Sequence, residues 1–264
     1  MVRVHLNLVV LIKFIYIEHN MKITLYTFCY NEKEIIPYFL NHYSKIVDKI
    51  VVYDNQSTDG SIEMLESFDG CEIEIRNNIT NNQIQDDTLI RLKNNCWKND
   101  KSDYIIVVDM DEFLYHPNLR EFLESNPDVD FFKPVGYDMI SYELPTDHSK
   151  QIYEIIRDGA PSINYSKKAL FKRKFVIETG FGYGAHSANY RGKKPLIEYV
   201  SNGDLKLLHF KCIDLEYVIA KHKHYSERRS DFNKRMGLGI HYDFTEQQIM
   251  SDFAALKSNA KQIV

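Results

Sequence analysis

The sequence predicts an α/β protein organised around a mostly parallel sheet. Three observations carry that expectation. Strand-like and helix-like segments alternate through the first half of the 264-residue chain. One segment, Ile105-Ile106-Val107-Val108, is wholly apolar, as a strand covered on both faces is. The acidic cluster Asp109-Met110-Asp111-Glu112 follows at its carboxyl end, where open α/β sheets place their ligands.

The elements follow in order. Lys22 to Cys29 is rich in β-branched and aromatic residues and reads as the first strand. Tyr30-Asn31-Glu32 is a loop, and Glu34 to Lys45 shows helical periodicity through Ile35, Ile36, Phe39, Leu40 and Tyr43. Pro37 falls in its first turn, where proline is tolerated. Lys49 to Tyr53 is a second strand. The turn residues Asp54 to Gly60 then lead into a helix over Ser61 to Phe68. Glu72 to Arg76 is a third strand, Asp86 to Asn99 a helix, and Tyr104 to Val108 the central strand. This β-α-β-α-β-α-β order argues for a Rossmann-like sheet. Beyond it, Leu119 to Glu124 reads as a helix, Val129 to Val135 and Asp204 to Phe210 as strands, and Asp214 to Met236 and Thr245 to Ala260 as C-terminal helices. The region between Gly136 and Gly203 reads as strands and long loops.

Bulk properties narrow the field. With 44% hydrophobic and 27% charged residues the composition is that of a soluble globular protein. A formal net charge of -4 provides no global basic field, so nucleic acid is not an expected partner. Cys29, Cys71, Cys96 and Cys212 show neither metal-ligand nor disulfide spacing, which suits a reducing compartment. The apolar stretch Leu6 to Ile17, interrupted by Lys13, is too short to span a bilayer. A cytoplasmic protein with at most peripheral membrane contact is expected. Residues 1–20 read as an extension of doubtful role and 21–264 as one domain. Within it, 21–115 form a nucleotide-binding half, 116–212 an acceptor-side half and 213–264 the C-terminal helices.

The acidic cluster carries the chemistry. Extended geometry points Asp109 and Asp111 to the same side. Neighbouring carboxylates repel one another unless a cation lies between them. Mg²⁺ or Mn²⁺ is the natural occupant of an all-oxygen site, usually together with substrate phosphates. A helix cap or turn is the plainer use of an Asp after a strand, but three unpaired carboxylates in a row are costly in that role.

Three segments together resemble the glycosyltransferase family 2-like enzymes of GT-A fold. They are Tyr26-Thr27-Phe28-Cys29-Tyr30-Asn31-Glu32, then Val51-Val52-Tyr53-Asp54-Asn55-Gln56-Ser57-Thr58-Asp59-Gly60-Ser61, then the D-x-D run at Asp109. Each is weak alone; their order and spacing, over roughly the first 120 residues, make the set specific. The subgroup in which D-x-D is followed by E-F, with a later H-[FY]-K, is the most similar, on Asp109-Met110-Asp111-Glu112-Phe113 and His209-Phe210-Lys211.

The resemblance implies transfer of a sugar from a nucleotide-sugar donor, UDP-linked, to a glycan, lipid or protein acceptor, with inversion. It implies metal ligation by Asp109, Asp111 and His209, with ribose as the alternative partner of Asp109. It gives Asp54 the role of base contact and places Thr27, Tyr30, Asn31 and Glu32 at the nucleotide. A histidine ligand favours Mn²⁺ over Mg²⁺. Arg173 and the basic stretch His224 to Arg229 are the leading candidates for the diphosphate, since a guanidinium fork suits phosphate oxygens. Lys168, Lys172, Lys174 and Lys221 to Lys223 are further candidates. Asp138, after the strand that follows the metal motif, is the candidate base, with Glu143, Asp147 and Glu178 as competitors. Gly180 to His186 reads either as a loop that closes over the donor or as a glycine-rich hairpin.

Two alternatives stand beside the transferase. A haloacid-dehalogenase-like phosphotransferase would use Asp109 as nucleophile, but that class carries its D-x-D on the opening strand. A non-catalytic nucleotide- or glycan-binding module on the same fold would have no need to neutralise a leaving group.

Overall fold

The computed structural model describes residues 21–264. The expected extension over residues 1–20 lies outside the described residues. The main sheet has seven strands in the order β12-β6-β9-β4-β1-β2-β3. Its nucleus is β1 (Ile23–Cys29), β2 (Lys49–Asp54), β3 (Glu72–Asn77) and β4 (Tyr104–Val107), all mutually parallel. Helices α1 (Ile36–Tyr43), α2 (Ser61–Glu66) and α3 (Asp86–Asn95) make the crossovers. The alternation seen in the sequence is therefore the fold: an α/β protein with a mostly parallel central sheet.

Both faces of this sheet are covered, which explains its uninterrupted apolar runs. Ile23, Leu25, Ile50, Val52 and Ile106 pack with Phe39 and Tyr43 of α1. On the other face Tyr26, Val51, Ile105 and Val107 pack with Trp97, just beyond α3. Among the described residues no helix is long and apolar enough to cross a membrane, and the four cysteines are free thiols.

The sequence reading is corrected at three places. The chain does not stay extended through the acidic cluster. It turns at Met110 and Asp111, with Glu112 N–H bonded to Asp109 C=O at 3.0 Å, and starts β5 (Glu112–Tyr115). The expected strand from Val129 to Val135 is two strands in two sheets. β6 (Phe131–Lys133) joins the main sheet and β7 (Val135–Ile140) joins a five-stranded sheet, β14-β8-β7-β13-β5. Pro134 stands between them, and proline has no N–H to continue a ladder. The expected helix from Asp214 to Met236 is α6 (Leu215–Arg228) and α7 (Asp231–Arg235), after α4 (Leu119–Ser125) and α5 (Ile152–Ile155). Ile84 N–H bonds to Arg228 C=O and Ser230 N–H to Ile84 C=O, so those backbone groups serve a bridge to the β3–α3 loop. Ser230 then caps α7 by accepting from Asn233 N–H.

The remaining strands are β8 (Asp158–Pro161), β9 (Leu170–Lys172), β10 (Val176–Glu178), β11 (Arg191–Gly192), β12 (Glu198–Val200), β13 (Lys206–Cys212) and β14 (Lys261–Gln262). The last helix, α8 (Glu246–Asn259), opens with a Thr245–Gln248 capping box. For the site, β13 matters most. It lies parallel to β7 and antiparallel to β5, which brings His209 level with Asp138 and Glu112.

Candidate active site

A cleft of about 390 Å³ opens at the carboxyl ends of the main-sheet strands. Asp109, Asp111 and Glu112 form its floor, because the chain turns there between β4 and β5. β13 brings His209 and Lys211 from the second sheet, and α6 brings Lys221, Tyr225 and Arg228 from the C-terminal region.

Asp111 and His209 face each other. His209 Nε2 lies 3.6 Å from Asp111 Oδ2, and its Nδ1 donates to Asp138 Oδ1 at 2.8 Å. Tyr165 stacks on the imidazole at 3.7 Å between centroids. Burial alone would lower the His209 pKa; the carboxylates of Asp111 and Asp138 overcome it and raise it to about 9. Burial alone would likewise raise Asp111, and the charges of His209 and Lys221 hold it far below the ordinary carboxylate value. Lys221 Nζ stands 3.8 Å from Asp111 and donates to Glu32 at 2.9 Å. Tyr225 donates to the other oxygen of Glu32 at 3.2 Å.

Asp109 has different company. Lys93 Nζ of α3 donates to both its oxygens, at 2.6 and 2.8 Å, and Lys167 Nζ lies 3.6 Å away. Lys167 also donates to the buried Glu112. Burial opposes ionisation of Asp109, but the two ammoniums prevail and lower its pKa. Among the described residues, no group of three or more His, Cys, Asp or Glu side chains is arranged to hold a metal. The expected trio of Asp109, Asp111 and His209 is thus not assembled, since Asp109 is engaged by a lysine.

The other sequence candidates divide. Tyr30 and Glu32 line the cleft, as do Lys221 and Arg228 of the basic stretch. The Arg228 guanidinium sits 3.1 Å from the Tyr30 ring centre, with His224 stacked on the same ring at 5.3 Å. Thr27 is fully buried in β1 and Asn31 clips two loops, accepting from Thr58 N–H at 2.7 Å; neither lines the cleft. Asp54 turns into its own loop, where it accepts from Gln56 N–H at 2.9 Å and Ser57 Oγ at 2.6 Å. Its neighbour Asn55 is the residue that faces the cleft. Asn55 takes Thr80 Oγ1 at 2.9 Å, which shapes the 78–83 loop.

Arg173 lies away from the cleft, with its guanidinium 5.2 Å from the Trp97 ring centre and a bond to Lys98 C=O. Lys168 pairs with Glu198 and Arg229 with Asp243. Asp138 stands behind His209 and outside the cleft lining, which is a position for orienting the imidazole. In the glycine-rich segment, Tyr183, Gly184 and His186 reach the cleft. Its base is tied down by Asn94, which bonds Phe181 C=O at 3.0 Å and Phe181 N–H at 2.8 Å.

Lys93 and Lys167 were not among the sequence candidates. A signal for Lys93 exists: it continues the apolar stripe of Leu89, Ile90 and Trp97, where a lysine is out of place.

The chain is similar in part to several proteins of known structure. S. aureus TarS superposes with a TM-score of 0.45 at 16% identity, over 89% of this chain and 43% of its own. Glucosyl-3-phosphoglycerate synthase from Mycobacterium tuberculosis, solved with Mn²⁺, UDP and phosphoglyceric acid, gives 0.32 at 17% identity over 45% and 44%. The galactosyltransferase LgtC, solved with donor and acceptor sugar analogues, gives 0.30 at 10% identity over 42% and 46%. The chain thus spans less than half the length of these three proteins. No curated protein sequence is significantly similar. The family model described as glycosyl transferase family 2 matches residues 24–187, well over half of the chain. The chain is a member of glycosyl transferase family 2.

Proposed function

We propose that this protein moves a sugar from a nucleotide-sugar donor, UDP-linked, to a glycan, lipid or protein acceptor, with a divalent cation on the donor diphosphate. The observation that carries this reading is the pairing of Asp111 and His209 across one cleft, with Asp138 behind the imidazole.

The residues fit a small divalent cation. The 3.6 Å between Asp111 Oδ2 and His209 Nε2 is too long for a hydrogen bond. It is close to the roughly 3–3.5 Å that separates two ligands of one ion at bond lengths near 2.1 Å. The Nδ1–Asp138 bond presents Nε2 as the ligand atom, as carboxylate partners of metal-bound histidines do. Asp111 and His209 would hold the ion, and a histidine in the set favours Mn²⁺ over Mg²⁺. Bound there, the ion neutralises charge that develops on the departing diphosphate.

The protein's own groups supply the rest. Tyr30, backed by Arg228, offers a ring face at the nucleoside end, beside Asn55, Asn78 and Thr80. Lys221, fixed by Glu32, and Lys211 add positive charge next to Asp111. Charge placed before the reaction costs no reorganisation when it is needed. Nothing favours the phosphotransferase alternative: both oxygens of Asp109 are taken by Lys93, which leaves a poor nucleophile.

The test is a thermal-shift panel of UDP, GDP and their sugars, with and without Mn²⁺, followed by donor hydrolysis without acceptor. Ligand at about 100 times its Kd stabilises the folded state by about 2.7 kcal/mol. A UDP shift that requires Mn²⁺, with slow UDP-sugar hydrolysis, is expected. Binding without hydrolysis of any donor would point to the non-catalytic module.

A further inference from the structure

Lys93, Lys167, Lys211, Lys221 and Arg228 bring positive charge to the cleft, and four of them are occupied. Lys93 donates to Asp109, Lys167 to Glu112 and Lys221 to Glu32. Arg228 donates to Asn82 C=O at 2.9 Å and lies on the Tyr30 ring. Lys211 differs. Among the described residues its ammonium makes no ion pair and no hydrogen bond, and it stands 4.9 Å from the Tyr242 ring centre. A ring face is a weaker partner for a cation than a carboxylate is. The backbone is irregular at this position. His209 pairs with Asp138 and Cys212 with Ile140, three steps along β13 against two along β7. The extra residue makes a bulge at Phe210–Lys211, a device that re-aims a side chain beside a site. Phe210 N–H donates to Asp111 C=O at 2.8 Å, which ties the bulge to the floor of the cleft. The turn Ile240–Asp243 brings Tyr242 and His241 to the same cleft. Burial first, and the Lys211 charge next, lower the His241 pKa to about 4, so its imidazole is neutral and keeps one N–H to donate.

We propose that Lys211 pairs with an acidic group on the acceptor, a phosphate ester or a carboxylate, so that the sugar goes to an anionic acceptor rather than a neutral one. This rests on the transferase reading above. Asn55, Asn78 and Thr80, at the nucleoside end, belong to the loops of the main sheet, whereas Lys211 comes from the second sheet. An ammonium without a carboxylate, next to an N–H donor, is matched by an anion. Lys211 is then a specificity residue: a neutral acceptor would cover its charge and leave it unpaired, which disfavours that acceptor.

The experiment titrates sn-glycerol 3-phosphate and D-glucuronate into the full chain by thermal shift, with glycerol as the neutral control. Each is added to the protein alone and to the protein filled with UDP and Mn²⁺. At least one anion should stabilise the protein in both states and glycerol in neither; the stronger anion identifies the acidic group. Lys211→Gln should weaken that anion about tenfold, the worth of one charge-assisted hydrogen bond, and UDP less than about threefold. Lys211→Met reads the same loss if Lys211→Gln does not fold, and Lys211→Arg should keep the anion. An anion that displaces UDP, or equal losses of anion and UDP in Lys211→Gln, would assign Lys211 to the donor and overturn the proposal. Anions that bind no better than glycerol overturn it too. If UDP does not bind with Mn²⁺, the donor reading fails, while the anion titration of the nucleotide-free protein and its Lys211 variants still judges the anion site.

Discussion

His209 donates its Nδ1 hydrogen to Asp138 at 2.8 Å, and that bond aims the ring's other nitrogen at Asp111. The two residues come from β13 and β7, paired in register within the second sheet. Replacing Asp138 by Asn should weaken Mn²⁺-dependent UDP binding about 10- to 100-fold, the usual cost of losing such a support. Calorimetric titration of UDP at fixed Mn²⁺ measures it. A variant that binds UDP normally but turns over slowly would restore Asp138 as the acceptor's base.

Asp111→Ala should abolish the Mn²⁺-dependent part of UDP binding and leave the protein folded. Among the described residues its carboxylate has its nearest cationic partners at 3.6 and 3.8 Å, and it lines the cleft, so its removal strands no short partner there. Circular dichroism and the Mn²⁺ dependence of UDP affinity check the two halves of that statement.

Asp54 gives a different expectation. Its carboxylate gathers Gln56 N–H, Ser57 N–H and Ser57 Oγ within its own loop. Asp54→Ala leaves those donors to find water and should cost about 1–3 kcal/mol of stability. Nucleotide binding should then fall equally for uridine and guanosine diphosphates, because the loop itself is disturbed. A loss confined to uridine nucleotides would show that Asp54 reads the base.

His42 supplies a pH test away from the cleft. Burial lowers its pKa to about 4, against its bond to Leu114 C=O at 3.0 Å. With the folded pKa below the unfolded value near 6.5, the unfolded chain takes up a proton first as pH falls. This stability is fully present above about pH 6.5 and is lost on acidification to about pH 4, about 3 kcal/mol in all. His42→Gln, which keeps a polar group and cannot titrate, should flatten the urea-unfolding profile over that window by that amount.

Much of the fold was legible in the sequence because its signals are local. Ile105 to Val108 is apolar at every position because the strand is covered on both faces, and that pattern needs no partner to be seen. The turn after it was legible only as acidity. Its bend at Met110–Asp111 came from hydrogen bonding and from the start of β5, whose partner β13 lies about a hundred residues away. Val129 to Val135 read as one strand, because nothing local to Pro134 says that its two sides join different sheets.

The sequence by itself determined the alternating α/β plan, the acidic cluster at the end of β4 and the presence of a histidine in an H-F-K context. The tertiary structure decided which of those groups meet. Lys93, Lys167 and Lys221 lie 16, 55 and 189 residues from Asp109, Glu112 and Glu32, the carboxylates they bind. Charge pairing depends on distance in space, and periodicity along the chain reports only which face a residue occupies. The same limit hid the partner of Asp138: only the register of β7 against β13 puts its carboxylate beside an imidazole.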